Sequence, residues 1–275
     1  MTMHLRSVTY LSPQRPEYPF HLALWNGLQE LTFTQPLTFF VGDNGSGKST
    51  LLEGLAATLR LPSLGSQALE WDDSLEPARQ LSRHLVPRWA QGKASKRGFF
   101  LRTEDFFGFI RRTKAMRQDL VRDIAEAERL ARERGASDYA VRQAMSPMQG
   151  QVSALDQRYG VDIDAASHGE SFLGIMQQRV VPQGLYLLDE PEAALSPMSE
   201  LALIAFLKES IEENGCQFLI ATHSPVLLSY PDAQIIHFGG DGLSEIAYED
   251  LEHVRFTREF LNDPRRFLRH IWADG

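Results

Sequence analysis

The chain is poor in cysteine: a single one, Cys216, stands among 275 residues. A lone thiol excludes an intramolecular disulfide and any metal site built on several cysteines. It lies in an apolar run, which suits an inert buried side chain better than a reactive one. Long hydrophobic runs are also lacking. No window approaches the roughly 18 consecutive apolar residues of a membrane helix. The first residues, with His4, Arg6 and Gln14, show no apolar stretch of the kind a secretory signal needs. No signal peptide is therefore expected, no membrane contact, and the expected compartment is the cytoplasm. Positive charge is scarce as well: 28 Lys and Arg against 36 Asp and Glu give a net charge of −8. That excludes a protein that binds nucleic acid over its whole surface, but not one with a local basic patch. The shortage is uneven. Residues 60–166 carry 18 Lys and Arg against 15 Asp and Glu, net +3, and the remainder carries 10 against 21, net −11.

What is present is enough chain for a sizeable core, as one large domain or one domain with an insertion. The organising stretch is Gly42-Asp43-Asn44-Gly45-Ser46-Gly47-Lys48-Ser49-Thr50. It follows an apolar run over 37–41, read as a strand, and precedes a helical pattern over about 49–60. Strand, glycine-rich loop and helix are the context in which G-x-x-x-x-G-K-[ST] is a phosphate-binding loop. The glycines let successive backbone N–H groups point at an anion, and the helix N-terminus adds a favourable dipole. Lys48 would reach the β- and γ-phosphates and Ser49 would ligate Mg²⁺. The expected ligand is a nucleoside triphosphate.

The remaining pattern predicts strands over 5–10, 31–33, 98–102, 184–188, 216–221 and 235–238. Tyr18 and Phe20 sit beside a Pro-rich passage over 13–19, where they can stack on a purine base or pack against the first sheet. Residues 62–98, with Pro62, Pro77 and Pro87, give only helical fragments near 76–84. Helices are predicted over 106–134 and 138–159, parted by Gly135-Ala136-Ser137, with Thr103 or Asp105 as the cap of the first. Two helices with a short break suggest a helical hairpin. Its net basic charge fits a nucleic-acid or protein partner, or a solvated face of mixed charge. Further helices are expected over 172–180, 192–214, 254–261 and 265–272. Alternation of strands and helices in the second half argues for a parallel α/β sheet.

Four apolar residues and then Asp189-Glu190 fit the second element of a phosphate-loop ATPase. Asp189 would hold Mg²⁺ at the carboxyl end of a buried strand. Glu190 can orient or deprotonate the attacking water, as a general base must. His223 follows the next buried strand, where it would contact the γ-phosphate and that water.

Residues 42–50, Ser167-His168-Gly169-Glu170, 185–191, 193–196 and His223 stand in the order of an ABC-type ATPase. As a set, the stretches "FVGDNGSGKSTLLE", "SHGESF", "YLLDEPEAALSP" and "IATHSPVLL" resemble bacterial stand-alone ATPases of the SMC/RecF-like branch. The likeness covers roughly residues 1–61 and 99–275. It implies an α/β P-loop NTPase fold: an ABC-ATPase-like core, with a mixed N-terminal sheet and a parallel sheet flanked by helices, plus a helical insertion. The expected layout is a single domain, with core 1–61 and 159–275, the strand over 98–102, and the insertion at about 62–158. It also implies ATP and Mg²⁺ as ligands and two subunits that sandwich two nucleotides head to tail. Ser167, Gly169 and Glu170 would then face the nucleotide held by the partner subunit. His168 replaces the usual first glycine of that signature, and Ser196 stands where Asp is usual. Glu104, after the strand over 98–102, is the candidate for the glutamine-loop position near Mg²⁺.

The leading expectation is a soluble Mg²⁺-dependent ATPase that dimerises on ATP and passes that state to a DNA or protein partner through the insertion. DNA maintenance and phage defence are candidate settings. The alternatives are a transporter ATP-binding subunit, a nucleotide-gated binding module with little turnover, and a small-molecule kinase. The kinase reading explains neither the signature motif nor His223.

Overall fold

A computed structural model describes residues 3–14, 17–64, 76–90, 97–159, 168–269 and 271–272. Among the described residues two sheets form. The larger has six strands: β3 (Leu37–Gly42), β5 (Gly98–Arg102), β6 (Leu185–Asp189), β7 (Gln217–Ala221), β8 (Gln234–Gly239) and β9 (Gly242–Glu245). Their order is β5-β6-β7-β3-β8-β9, parallel except for the hairpin that adds β9. All five residues of β6 and of β7 are buried. Near-continuous apolar runs of this kind mark strands covered on both faces.

Alternation along those strands sorts their side chains into two cores. Phe39, Val41, Tyr186 and Leu188 face one layer, where α5 (His168–Arg179), α6 (Pro197–Glu212) and α7 (Glu252–Asn262) contribute Phe172, Leu207 and Val254. Phe40, Leu185, Leu187 and Leu219 face the other, filled by Leu51, Leu52 and Leu55 of α1 (Lys48–Leu59). The smaller sheet joins that second core. Its strands β1 (Leu5–Tyr10), β2 (Glu30–Thr32) and β4 (Leu85–Trp89) run antiparallel in the order β2-β1-β4. It is therefore wholly antiparallel rather than mixed.

Two buried glutamines tie the sheets together. Gln217 Oε1 accepts from the N–H groups of His4 and Leu5 at 2.9 and 2.8 Å, and its Nε2 donates to Leu5 O at 2.9 Å. Gln234 does the same on β8, accepting from Thr34 N–H and the Thr38 hydroxyl and donating to Thr32 O. A buried amide is tolerated because its donors and acceptors are met.

Several expectations change. β4 lies in the stretch that gave only helical fragments, next to α2 (Glu76–Ser82). Its Pro87 pairs with Val8 on a sheet edge, where a missing N–H costs least. The helical hairpin expected over 106–134 and 138–159 comprises α3 (Thr103–Glu133) and α4 (Asp138–Tyr159). The helix expected over 192–214 is divided into a 3-10 turn, Pro191–Ala194, and α6. Pro197 cannot continue a preceding helix but suits a first turn, and Ser196 caps that turn by accepting from Ser199 N–H at 3.2 Å. Pro264 likewise separates α7 from the short α8 (Pro264–Leu268).

Candidate functional site

Strand order places the carboxyl ends of β6, β7 and β3 side by side. Asp189 pairs with Ala221, and Ala221 pairs with Phe40, two residues before Gly42. Everything that these three strands deliver therefore meets at one edge of the sheet, the usual binding edge of an open α/β sheet.

The loop after β3 turns into α1 through Gly47, which has φ 101°. A Cβ there would sit 2.1 Å from Leu24 Cδ2, so the position needs glycine for both its backbone angle and its close approach. Lys48 is buried, and its Nζ folds back to donate to Gly42 O at 2.8 Å and Asp43 O at 3.0 Å. Burial pushes its pKa down, while Glu190, Asp189, Asp43 and Glu192 oppose that shift by surrounding the ammonium with negative charge. The Ser46 hydroxyl is buried in the same loop with no hydrogen-bond partner. An orphan donor beside inward-facing backbone N–H groups suits an anionic ligand.

Ser49 Oγ donates to Asp189 Oδ1 at 3.1 Å. Burial pushes the Asp189 carboxyl up to about 7; the Ser49 hydroxyl bond lowers it, and neighbouring Glu190 and Glu53 raise it further. Arg102, which pairs with Glu53 at 2.9 Å and Asp105 at 3.0 Å, offsets part of that rise. Such a carboxyl gains by meeting a cation. Hydroxyl and carboxylate oxygens form a hard donor set, fitting Mg²⁺ completed by phosphate and water. No cluster of three His, Cys, Asp or Glu that could hold a metal by itself occurs among the described residues.

Glu190 turns the chain out of β6 in the left-handed region, φ 49°. Its N–H donates to Ala221 O at 2.9 Å. The buried Thr103 hydroxyl, the first residue of α3, reaches both adjacent carbonyls, Asp189 O at 3.0 Å and Glu190 O at 2.7 Å. Thr103 or Asp105 was expected as the helix cap; the N-cap is Arg102, and Thr103 instead fastens the carboxylate turn. The His223 Nε2 lies 4.0 Å from Glu190 Oε1 and has no hydrogen-bond partner. Burial and Lys48 push the His223 pKa down, against Glu190 and Asp43, which favours the neutral ring. The cavity at this edge has a volume of about 440 Å³ and is lined by Lys48, Ser49, Thr50, Glu190, Tyr18 and the loop glycines, among others. The Tyr18 hydroxyl lies 3.5 Å from Thr50 Oγ1 at its rim.

Other expected residues lie elsewhere. Ser167 is outside the described residues. Gly169 and Glu170 begin α5 and do not line the cavity of their own chain. Gly169 is packed so closely that a Cβ would meet Ser199 Oγ at 2.7 Å. Glu104 is exposed on the first turn of α3 and does not line the cavity either. Thr103, expected only as a candidate helix cap, and Glu192 were not expected to hold the site residues. A threonine at a strand–helix junction carries no motif, and only the fold brings it to Asp189.

Comparison with known proteins agrees with this geometry. Residues 21–64 match the family described as "AAA domain", and residues 165–229 match "AAA domain, putative AbiEii toxin, Type IV TA system". The cobalt import ATP-binding protein CbiO of Salmonella typhimurium is 27% identical over 240 residues, covering 82% of this chain and 79% of CbiO. Among solved structures, a nucleotide-free ATP-binding cassette from an ABC transporter is 17% identical, with TM-score 0.46 and coverage of 96% of this chain and 97% of that one. The Smc head domain from Pyrococcus furiosus is 13% identical, with TM-score 0.45 and coverage of 95% and 99%. The two AAA-domain matches fall on the segments that hold the phosphate loop and the carboxylate-to-histidine run.

Proposed function

We propose that the chain is an Mg²⁺-dependent ATP hydrolase. The observation that carries this reading is the single cluster formed by Lys48, the Ser49–Asp189 pair, Glu190 and His223 at the carboxyl ends of three adjacent strands. The loop over residues 42–50 would cradle the triphosphate, with Lys48 turning from the carbonyls of Gly42 and Asp43 to phosphate oxygens. Ser49 and Asp189 would hold Mg²⁺, which when bound neutralises charge on the phosphates. Glu190 would accept a proton from the attacking water. His223, 4.0 Å from Glu190, would donate a hydrogen bond to the γ-phosphate. Tyr18, at the cavity rim, would stack on the base.

Gly169 and Glu170 lie away from this cavity, which suits a head-to-tail dimer where they meet the nucleotide of a second copy. Replacing Glu190 with Gln tests both halves of the reading. ATP turnover should fall at least about 100-fold, the low end for a lost general base. An ATP-dependent dimer should accumulate in size-exclusion chromatography. Lost turnover without that dimer would refute the sandwich, and unchanged turnover would refute the role of Glu190.

The ATP-bound state would pass to a partner through the α3–α4 hairpin, whose first residue is Thr103. Along the hairpin Arg117 pairs with Asp156, Arg122 with Asp119, Arg129 with Glu133 and Arg132 with Glu128. That mixed-charge face favours a protein partner over DNA. DNA binding that weakens with salt and is lost in a Lys114/Arg117/Arg122 triple alanine variant would reverse the preference. A second reading, an ATP-binding subunit of a membrane importer, draws on the likeness to CbiO. No helix among the described residues is long and apolar enough to cross a membrane, so that reading requires a membrane partner. Fractionation with membranes would favour it.

A further inference from the structure

The last residue of β6 and the short strip after it carry three carboxylates with three different partners. Asp189 takes the Ser49 hydroxyl, and Glu190 approaches the His223 ring. Glu192, on the 3-10 turn, accepts the backbone N–H of His223 at 2.6 Å through Oε1. His223 is thus held at both ends by one stretch of chain, its ring facing residue 190 and its backbone bound to residue 192.

The following residue is held as well. Ser224 donates its hydroxyl to the buried carboxylate of Glu200 on the first turn of α6, and accepts from the N–H groups of Val226 at 3.1 Å and Leu227 at 3.2 Å. Glu200 N–H in turn donates to Ser196 O at 2.9 Å. The loop that presents His223 therefore hangs from two carboxylates of the 192–200 segment. Burying carboxylates is costly unless each is met by donors, and Glu192 Oε2 has no partner at all. Holding a loop by ordinary packing would avoid that cost.

We propose that Glu192 is the positioning residue for His223, setting the distance and angle at which the imidazole meets Glu190 and the reacting phosphate. Glu200 and Ser224 form the second hold on the same loop. The catalytic consequence rests on the ATPase reading above; the positional one does not.

The test is a double-mutant cycle with a spectroscopic arm on the full chain. Glu192→Ala should lower kcat by about 10- to 100-fold, at or below the low end for losing an acid–base group, because the ring is displaced rather than removed. The KM for ATP should change by less than about threefold, because the phosphate loop is untouched. In a His223→Ala background the same change should cost less than about twofold, since Glu192 acts only through that ring. Glu192→Gln keeps an acceptor oxygen and should restore kcat to within a few-fold of wild type. Glu192→Asp, which withdraws the carboxylate by one methylene, repeats the cycle if the alanine variant fails to fold. Histidine labelled at Cε1 gives a signal for His223, assigned by its loss in His223→Ala, which should shift in Glu192→Ala. Equal losses of kcat in both backgrounds, or an unmoved His223 signal, would overturn the proposal. A wild-type protein without turnover would instead sink the hydrolase reading and leave the spectroscopic arm to decide this one.

Discussion

The carboxyl edge of the central sheet and the distal part of the α3–α4 hairpin use charged residues in opposite ways. At the edge, Lys48 and Asp189 are buried, and each is held by partners from another strand or loop. On the hairpin, Arg129, Glu133, Arg132 and Glu128 lie largely in solvent and pair one turn apart on their own helix. Buried charge is expensive and survives only where fold and chemistry both use it. Exposed pairs one turn apart are worth little and mainly keep a helix soluble. The difference teaches where substitutions should act: chemistry and stability are coupled at the edge and nearly independent of sequence detail on the hairpin. The two regions meet at Thr103, which begins α3 and grips the carbonyls of Asp189 and Glu190.

The largest effect that would sharpen this comparison is the pH dependence of the metal- and nucleotide-free protein. Burial holds the Asp189 carboxyl at about 7 in the fold, against 3.8 for an ordinary aspartate. Between those values the folded chain holds a proton that the unfolded chain has lost, so this group makes stability fall as pH rises. Three units amount to at most about 4 kcal/mol. Asp189→Asn removes the titration, so chemical denaturation should show its stability gaining on wild type from pH 4 to pH 7. Added Mg²⁺ and ATP should narrow the gap by favouring the wild-type carboxylate. A gap independent of pH would show that Asp189 is not buried as described.

Thr103→Val comes next, since it keeps the shape and deletes the hydroxyl shared by two carbonyls. A loss of about 1–3 kcal/mol is expected from denaturant titration, with turnover down about tenfold as the Glu190 turn loosens. Thr103→Ser should recover most of both. If the valine variant matched wild type in both measurements, the hairpin and the site would be unconnected at that joint. The smallest effect belongs to the hairpin surface. Replacing both Arg129 and Glu133 with Ala should change stability by about 0.3–0.5 kcal/mol and leave ATP turnover unaltered. A larger change in turnover would break the contrast between the two regions.

Some of this architecture could be read from residue order. Apolar runs ending in Gly42, Asp189 and Ala221 announced parallel strands, because a strand buried on both faces has no polar alternation to disguise it. The loop from Gly42 to Thr50 announced a phosphate site because its backbone requirement is local: glycine where φ is positive, then Lys and Ser on the first helical turn. Helices α3 and α4 were legible for the same reason, as their periodicity lies within one segment. β4 was not legible. Its Val86 is exposed and Pro87 interrupts it, and only pairing with β1 makes it a strand.

Local chemistry, then, singled out the residues proposed to touch a triphosphate. Tertiary structure decided how they are held. Glu192 beneath His223, Thr103 across two carbonyls and Gln217 between two sheets bind partners 31, 86 or more, and 212 positions away along the chain. Hydrogen bonds over such separations leave no periodic trace, because the donor and acceptor types involved are common and only the folded backbone brings them within 3 Å. The sequence names the candidate groups; the sheet order supplies the distances between them.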